Sequence, residues 1–237
     1  MTDSGAPTMN SLSPSLLLGT RNAGKVREIE TILADIPWRL RSLREFSNIG
    51  IAAETAPTYA ENAIAKAQFY ARATGLYALA DDSGLEVDAL GGAPGVLSAR
   101  YAGEGASDAD RRALLLSELA RFNEEDPSGA GANSPSGVNA HHLSGAIANR
   151  RARFVCVVAV ATPDGTVLNT SEGICEGKMI LEERGTNGFG YDPLFVPAGF
   201  NQTFAELTDS IKNRISHRAR ALRKTREFLL SYRPSDS

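Results

Sequence analysis

Hydrophobic and polar positions fall in short blocks along this chain, and their spacing predicts strands and helices in turn. Residues 15–20 read as a first strand, with Leu16, Leu17 and Leu18 as its buried part. Val26, Ile29, Ile32 and Leu33 then share one helical face over 25–33, and Pro37 ends that helix. Residues 39–43 alternate and suggest a second strand. Thr58-Tyr59-Ala60-Glu61 has the form of a capping box, opening a helix that runs to about Thr74 with Gly75 as its C-cap. A helix capped by Ser107 or Asp108 turns Leu114, Leu115, Leu119 and Phe122 inward. Strands over 154–161 and 166–172 are joined by a Pro163-Asp164-Gly165 turn. A last helix runs from about Ser216 to Tyr232. Strands alternating with helices point to an α/β fold with a central sheet flanked by helices.

The apolar run 76–80 stops at two adjacent acids, Asp81 and Asp82, followed by Ser83 and Gly84. This pattern predicts a buried strand ending at the acids, with Gly84 in a tight turn. Ligands of α/β folds collect beyond the carboxyl ends of strands. Side chains alternate along a strand, so one acid is expected to brace the structure while the other faces a cleft.

Composition narrows the partners. The chain has 237 residues, 42% hydrophobic and 22% charged, with a formal net charge of −3. That balance argues against a protein dedicated to coating nucleic acid. No apolar run approaches a membrane span. Residues 1–14 lack the pattern of a secretory signal and read as a disordered tail. Residues 123–149, rich in Gly, Ser, Ala and Asn, read as a flexible insertion within a single domain spanning 15–233. Cys156 and Cys175 form no metal-type cluster and suggest apolar packing in a reducing cytoplasm.

Four polar clusters carry candidate chemistry. Gly19-Thr20-Arg21-Asn22-Ala23-Gly24-Lys25 lies between a strand and a helix, where backbone N–H groups can hold an anion and Lys25 adds a point charge. Ordinary capping by Asn22 is the alternative. The spacing also fits Gly-x-x-x-x-Gly-Lys of a P-loop, but Val26 stands where that motif needs a hydroxyl for Mg²⁺. Glu54, Asp81 and Asp82 offer the one or two carboxylates that Mg²⁺ takes alongside waters and phosphate oxygens. Lys66 is either a phosphate partner or solvent-facing. In Gly188-Phe189-Gly190-Tyr191-Asp192-Pro193, an aromatic between glycines suits stacking on a base, and Asp192 suits a ring N–H. From Lys212 to Arg226 there are seven Lys or Arg and no acid; Ser216, His217 and Arg218 fall at a helix start, where cations are disfavoured without a partner.

Together these segments resemble the inosine triphosphate pyrophosphatase family, the dITP/XTP pyrophosphatases. The resemblance rests on Thr20-x-Asn22-x-x-Lys25, Glu61-Asn62-Ala63 with Lys66, Asp81-Asp82-Ser83-Gly84-Leu85 and Gly91-Gly92-Ala93-Pro94-Gly95. It extends through Ser98-Ala99-Arg100-Tyr101, Phe189-Gly190-Tyr191-Asp192 and Ser216-His217-Arg218. It implies a mixed sheet with two lobes around a deep nucleotide-binding cleft, in a homodimer; the composition adds the expectation of a cytoplasmic protein without membrane or stable nucleic-acid partner. It implies Mg²⁺-dependent hydrolysis of ITP, dITP and XTP to the monophosphate and pyrophosphate. By that resemblance Asp82 is the proton acceptor and a metal ligand, with Glu54 a second ligand. Thr20, Arg21, Asn22, Ala23, Gly24, Lys25 and Ser83 bind the nucleotide, while Phe189, Gly190, Tyr191, Asp192, Lys212, His217 and Arg218 hold the base. The residues read without the resemblance leave two rivals open: a P-loop-like kinase or ATPase, and a non-catalytic nucleotide-binding protein.

Overall fold

The computed structural model describes residues 13–125 and 150–234, with side chains of the third helix described through residue 121. Most of the 1–14 tail, most of the 123–149 insertion and the side chain of Phe122 therefore lie outside the described residues. The chain runs β1 (Ser15–Leu18), α1 (Ala23–Ile32), β2 (Arg39–Ser42), α2 (Tyr59–Thr74), β3 (Tyr77–Val87) and α3 (Asp108–Glu125). It continues through β4 (Arg151–Ala161), β5 (Val167–Met179), β6 (Phe195–Pro197), α4 (Asp209–Ile215) and α5 (His217–Ser231). Short 3₁₀ turns at Gly95–Arg100 and Asp192–Leu194 border the region described below.

Local chemistry sets the helix ends. Asn22 caps α1 by accepting from the N–H groups of Gly24 and Lys25. At α2 the Thr58 hydroxyl accepts from Glu61 N–H and donates to the Glu61 carboxylate, so the box closes side chain to side chain. Gly75, at φ 66°, ends α2 in the left-handed conformation. Ser216 caps α5 through Ala219 N–H.

The six strands form one sheet in the order β2-β1-β3-β4-β5-β6. β1 pairs parallel with β2 and β3; the β3–β4, β4–β5 and β5–β6 pairs are antiparallel. This is the α/β fold that the residue pattern predicts, with the mixed sheet that the resemblance implies. Three apolar clusters hold it. On one face Ala63, Ala67 and Tyr70 of α2 pack against Leu17, Ala80 and Val157. On the other, Ile29 of α1, Leu33 at its C-terminal cap, and Leu222 and Leu229 of α5 cover Leu16, Leu79 and Val158. A third cluster joins Leu115 and Leu119 of α3 to Leu85, Phe154, Phe195 and Phe204. Among the described residues, no helix is long and apolar enough to cross a membrane.

Two glycines overturn the expected strand ends. β3 does not stop at Asp81; it continues to Val87, with Gly84 opposite Val155 in the ladder. Gly84 is not a turn residue but a point of close approach, since a Cβ there would collide with the Gly95 carbonyl oxygen and crowd the Ser98 and Tyr59 hydroxyls. Likewise β5 runs past Glu172, because Gly173 lets α5 cross so closely that a Cβ would strike the His217 carbonyl. Glycine reads as a strand breaker in sequence, yet here it admits a neighbouring backbone.

Candidate active site

Because β3 continues, Asp81 and Asp82 sit in the middle of a strand, on opposite faces of the sheet. Leu79 belongs to the α1/α5 side and Ala80 to the α2 side, so Asp81 points toward α1 and α5 and Asp82 toward α2. Each carboxylate is met by cations from its own side. Asp81 Oδ2 lies 3.0 Å from Lys25 Nζ and 3.1 Å from Arg218 Nε. Asp82 Oδ1 lies 3.3 Å from Lys66 Nζ, which also holds Glu54 Oε1 at 2.6 Å. Arg100 supports Glu54 from the far side, donating to its carbonyl oxygen at 2.7 Å.

The Asp81 side extends into a buried chain of charges. Arg218, only 2% exposed, donates through Nη1 to Glu28 Oε2 at 2.6 Å and through Nη2 to Ser83 Oγ at 2.9 Å. Lys212 Nζ bridges Glu28 at 3.0 Å and Asp192 at 2.6 Å. Three carboxylates and three cations thus alternate in the order Lys25, Asp81, Arg218, Glu28, Lys212, Asp192. This explains cations at the start of α5, which has no acid in its first turn. Glu28 and Asp81 neutralise Arg218 where the helix dipole would oppose it. Breaking such a buried pair by removing one partner costs about 3–5 kcal/mol.

The electrostatics differ sharply between the two acids. Burial works to raise the Asp81 carboxyl, but Lys25, Arg218 and Lys66 outweigh it and hold the group well below the usual carboxylate range. Asp82 is raised, chiefly by burial and also by Glu54 and Asp81, with Lys66 and Lys25 opposing. His217 is held well below its ordinary value by burial and by the Arg218 and Lys212 charges, so its imidazole is neutral at pH 7. It stacks on Phe154 with ring centroids 4.7 Å apart.

One cavity gathers most of the expected residues. Asn22, Lys25, Glu54, Asp82, Ser83, Phe189, Gly190, Tyr191, Asp192, Lys212, His217 and Arg218 all line it. Asp82 is the acid that faces the cleft, and Asp81 braces the helices. The Phe189 ring lies under Lys212 Nζ, 4.7 Å from the ring centroid, and 5.6 Å from Arg218 Cζ. Asp192 accepts from Phe189 N–H at 2.9 Å as well as from Lys212, so its carboxylate is an internal brace of the loop. Tyr191 is buried, its hydroxyl donating to the Ser98 carbonyl at 3.0 Å.

Thr20, Arg21, Ala23 and Gly24 do not line that cavity. Thr20 Oγ accepts from Asn22 N–H, and exposed Arg21 donates to the Ile49 carbonyl at 2.6 Å. The amides of Gly24 and Lys25 are satisfied by Asn22, the ordinary capping alternative, and Gly24 supports the Phe189 ring edge. Glu28 and Arg111 belong to the site region without having been singled out from sequence, and so do Ser98, quoted only within a motif of the resemblance, and Asp108, named only as a helix cap. Glu28 lies one turn beyond Lys25 on α1; its partners Lys212 and Arg218 are nearly the whole chain away, so no local pattern marks it.

The residues fit a hard divalent cation. Asp82 Oδ2 is buried and finds no hydrogen-bond partner among the described residues, and Glu54, with 30% of its side chain exposed, lines the same cavity. Among the described residues no three His, Cys, Asp or Glu side chains converge as a metal cage. A hard divalent cation that keeps several waters needs only one or two such carboxylates, and Asp82 and Glu54 could supply them.

The chain is similar to proteins of one family. The Ham1 family matches residues 16–134 and 128–228. A dITP/XTP pyrophosphatase of Desulfotalea psychrophila is 47% identical over 209 residues, covering 88% of this chain and 82% of that protein. A dITP/XTP pyrophosphatase of Desulforamulus reducens is 46% identical over 214 residues, covering 90% and 94%. The structure of a HAM1 protein from Coxiella burnetii superposes with a TM-score of 0.76 at 38% identity, covering 92% of this chain and all of that one.

Proposed function

The chain belongs to the Ham1 family, and from that premise we propose that it hydrolyses ITP, dITP and XTP to the monophosphate and pyrophosphate with Mg²⁺. The observation that carries this reading is Asp82, a buried carboxylate facing a cation-lined cavity with one oxygen unpartnered. Water attacks the α-phosphorus and pyrophosphate leaves. Asp82 Oδ2 is the acceptor for the water's proton, and its raised affinity for protons suits a general base. Lys25, anchored by Asp81, neutralises charge that develops on the phosphates. Lys66 ties Glu54 to Asp82 and keeps the two carboxylates at a fixed separation. Asp82 and Glu54 would hold Mg²⁺, which when bound would add further neutralisation of charge and lower the pKa of a bound water.

The base end follows the same logic. Phe189 offers a stacking face, a contact worth about 1–3 kcal/mol. His217 and Arg218 offer donors to a 6-oxo group, while a 6-amino group would face other donors. Rejection of guanine falls to its 2-amino group, which would lose water without gaining an acceptor, at about 1–3 kcal/mol. The same reading makes the protein a cytoplasmic homodimer with no stable nucleic-acid partner, in keeping with its net charge of −3.

Hydrolysis of ITP in ¹⁸O-water tests the reaction. Label should enter inosine monophosphate and not pyrophosphate, and turnover should stop with a chelator. Label in orthophosphate released from the terminal position would contradict the proposal and favour an ordinary phosphatase.

A further inference from the structure

The Phe189 loop is gripped from outside by the first turns of α3. Phe189 lies between Gly188 and Gly190, both in the left-handed region at φ 78° and 63°, so the backbone on either side is intrinsically free. Its position is nevertheless pinned. The Gly190 N–H donates to Asp108 Oδ2 at 2.7 Å. The Gly190 carbonyl accepts from Arg112 Nη1 at 2.9 Å. Arg112 Nε reaches Glu183 Oε1 at 2.8 Å, so one guanidinium holds both ends of the glycine-rich segment.

Asp108 is itself held rigidly. Its other oxygen pairs with Arg111, and Arg111 donates to the carbonyls of Ala99 and Ala106 at 2.8 and 2.7 Å. An acid at a helix start ordinarily serves its own helix. Asp108 instead spans 82 residues to bond the peptide that follows Phe189.

Given the pyrophosphatase reading above, we infer that Asp108 and Arg112 are positioning residues that latch the Gly190 peptide and so hold the Phe189 ring over the base site. They act through the loop, not on the substrate. Without the latch, the loop must be ordered at the moment of binding, and that cost falls on KM more than on kcat.

Hydrogen exchange in the free protein and steady-state kinetics together test this. In Asp108→Ala, amides of 186–192 should exchange faster, while β3 and β4 keep their protection. Asp108→Asn retains a carbonyl acceptor for Gly190 N–H and should restore wild-type exchange. Losing a hydrogen bond to a charged group predicts a KM for ITP about tenfold higher in Asp108→Ala. In a Phe189→Ala background the same change should add less than about twofold, because the residue it positions is gone. Arg112→Ala, which frees the Gly190 carbonyl and leaves the start of α3 intact, should show the same exchange and kinetic pattern.

Unchanged exchange in both Asp108→Ala and Arg112→Ala would overturn the latch. So would a full tenfold effect of Asp108→Ala in the Phe189→Ala background, which would mean that Asp108 touches the substrate itself. A wild-type protein that releases no pyrophosphate from ITP would instead sink the pyrophosphatase reading, and the exchange result would still decide the latch.

Discussion

Replacing Arg218 by Met keeps most of the side-chain volume and removes only the charge and its donors. Arg218 is 2% exposed and serves Asp81, Glu28 and Ser83 at once. In the variant Asp81 keeps Lys25 and Glu28 keeps Lys212, but Asp81 loses one of its two close cations and Glu28 loses its nearest one. Removing one partner of a buried pair costs about 3–5 kcal/mol. For a chain of this size each kcal/mol moves the melting temperature by about 2–4 °C, so the midpoint should fall by about 6–20 °C at pH 7. The pH dependence has a definite sign. The Asp81 and Glu28 carboxyls are lowered from their ordinary 3.8 and 4.5, so their contribution is complete above those values and lost as pH falls below them. The gap between wild type and variant should therefore be full at pH 7 and narrow below about pH 4. Scanning calorimetry over that range measures both. A midpoint within about 2 °C of wild type at pH 7 would show that the buried charge chain contributes nothing net, and the reasoning would fail.

Other outcomes are expected of the same site. Asp82→Asn should remain folded, being nearly isosteric, and lose about 10²–10⁴ in kcat if Asp82 accepts the proton; near-normal pyrophosphate release would remove it from that role. Lys66→Met removes a cation that lowers Asp82 toward its ionised form, so the acid limb of the kcat/KM profile should move to higher pH; an unmoved limb would mean another group titrates there. Gly84→Ala forces a methyl into the Gly95 carbonyl and should lower stability by about 1–3 kcal/mol, read as an earlier denaturant midpoint with unchanged slope.

The sheet and its helices were legible because their signals are local. The leucines of β1, the helical spacing of Ile29 and Leu33, and the Thr58 cap each declare an element within a few residues. What failed were elements decided by distant neighbours. Gly84 and Gly173 look like breaks until the backbone that approaches them is known. The three-residue β6 and the seven-residue α4 are too short to carry a period. At the site, Lys25, Asp82, Phe189, Lys212 and Arg218 stood out because charge and aromatics were clustered oddly for a soluble surface. Glu28 did not, since one of two acids on α1 acquires meaning only from α4 and α5, more than 180 residues later.

The kcat/KM values for ITP and ATP with Mg²⁺, measured by pyrophosphate release, bear on the whole account at once. Donors at His217 and Arg218 that read a 6-oxo group predict ITP, dITP and XTP well above GTP, and ATP poorest by about 10⁴-fold. Equal rates on ITP and ATP, or orthophosphate as the first product, would contradict it.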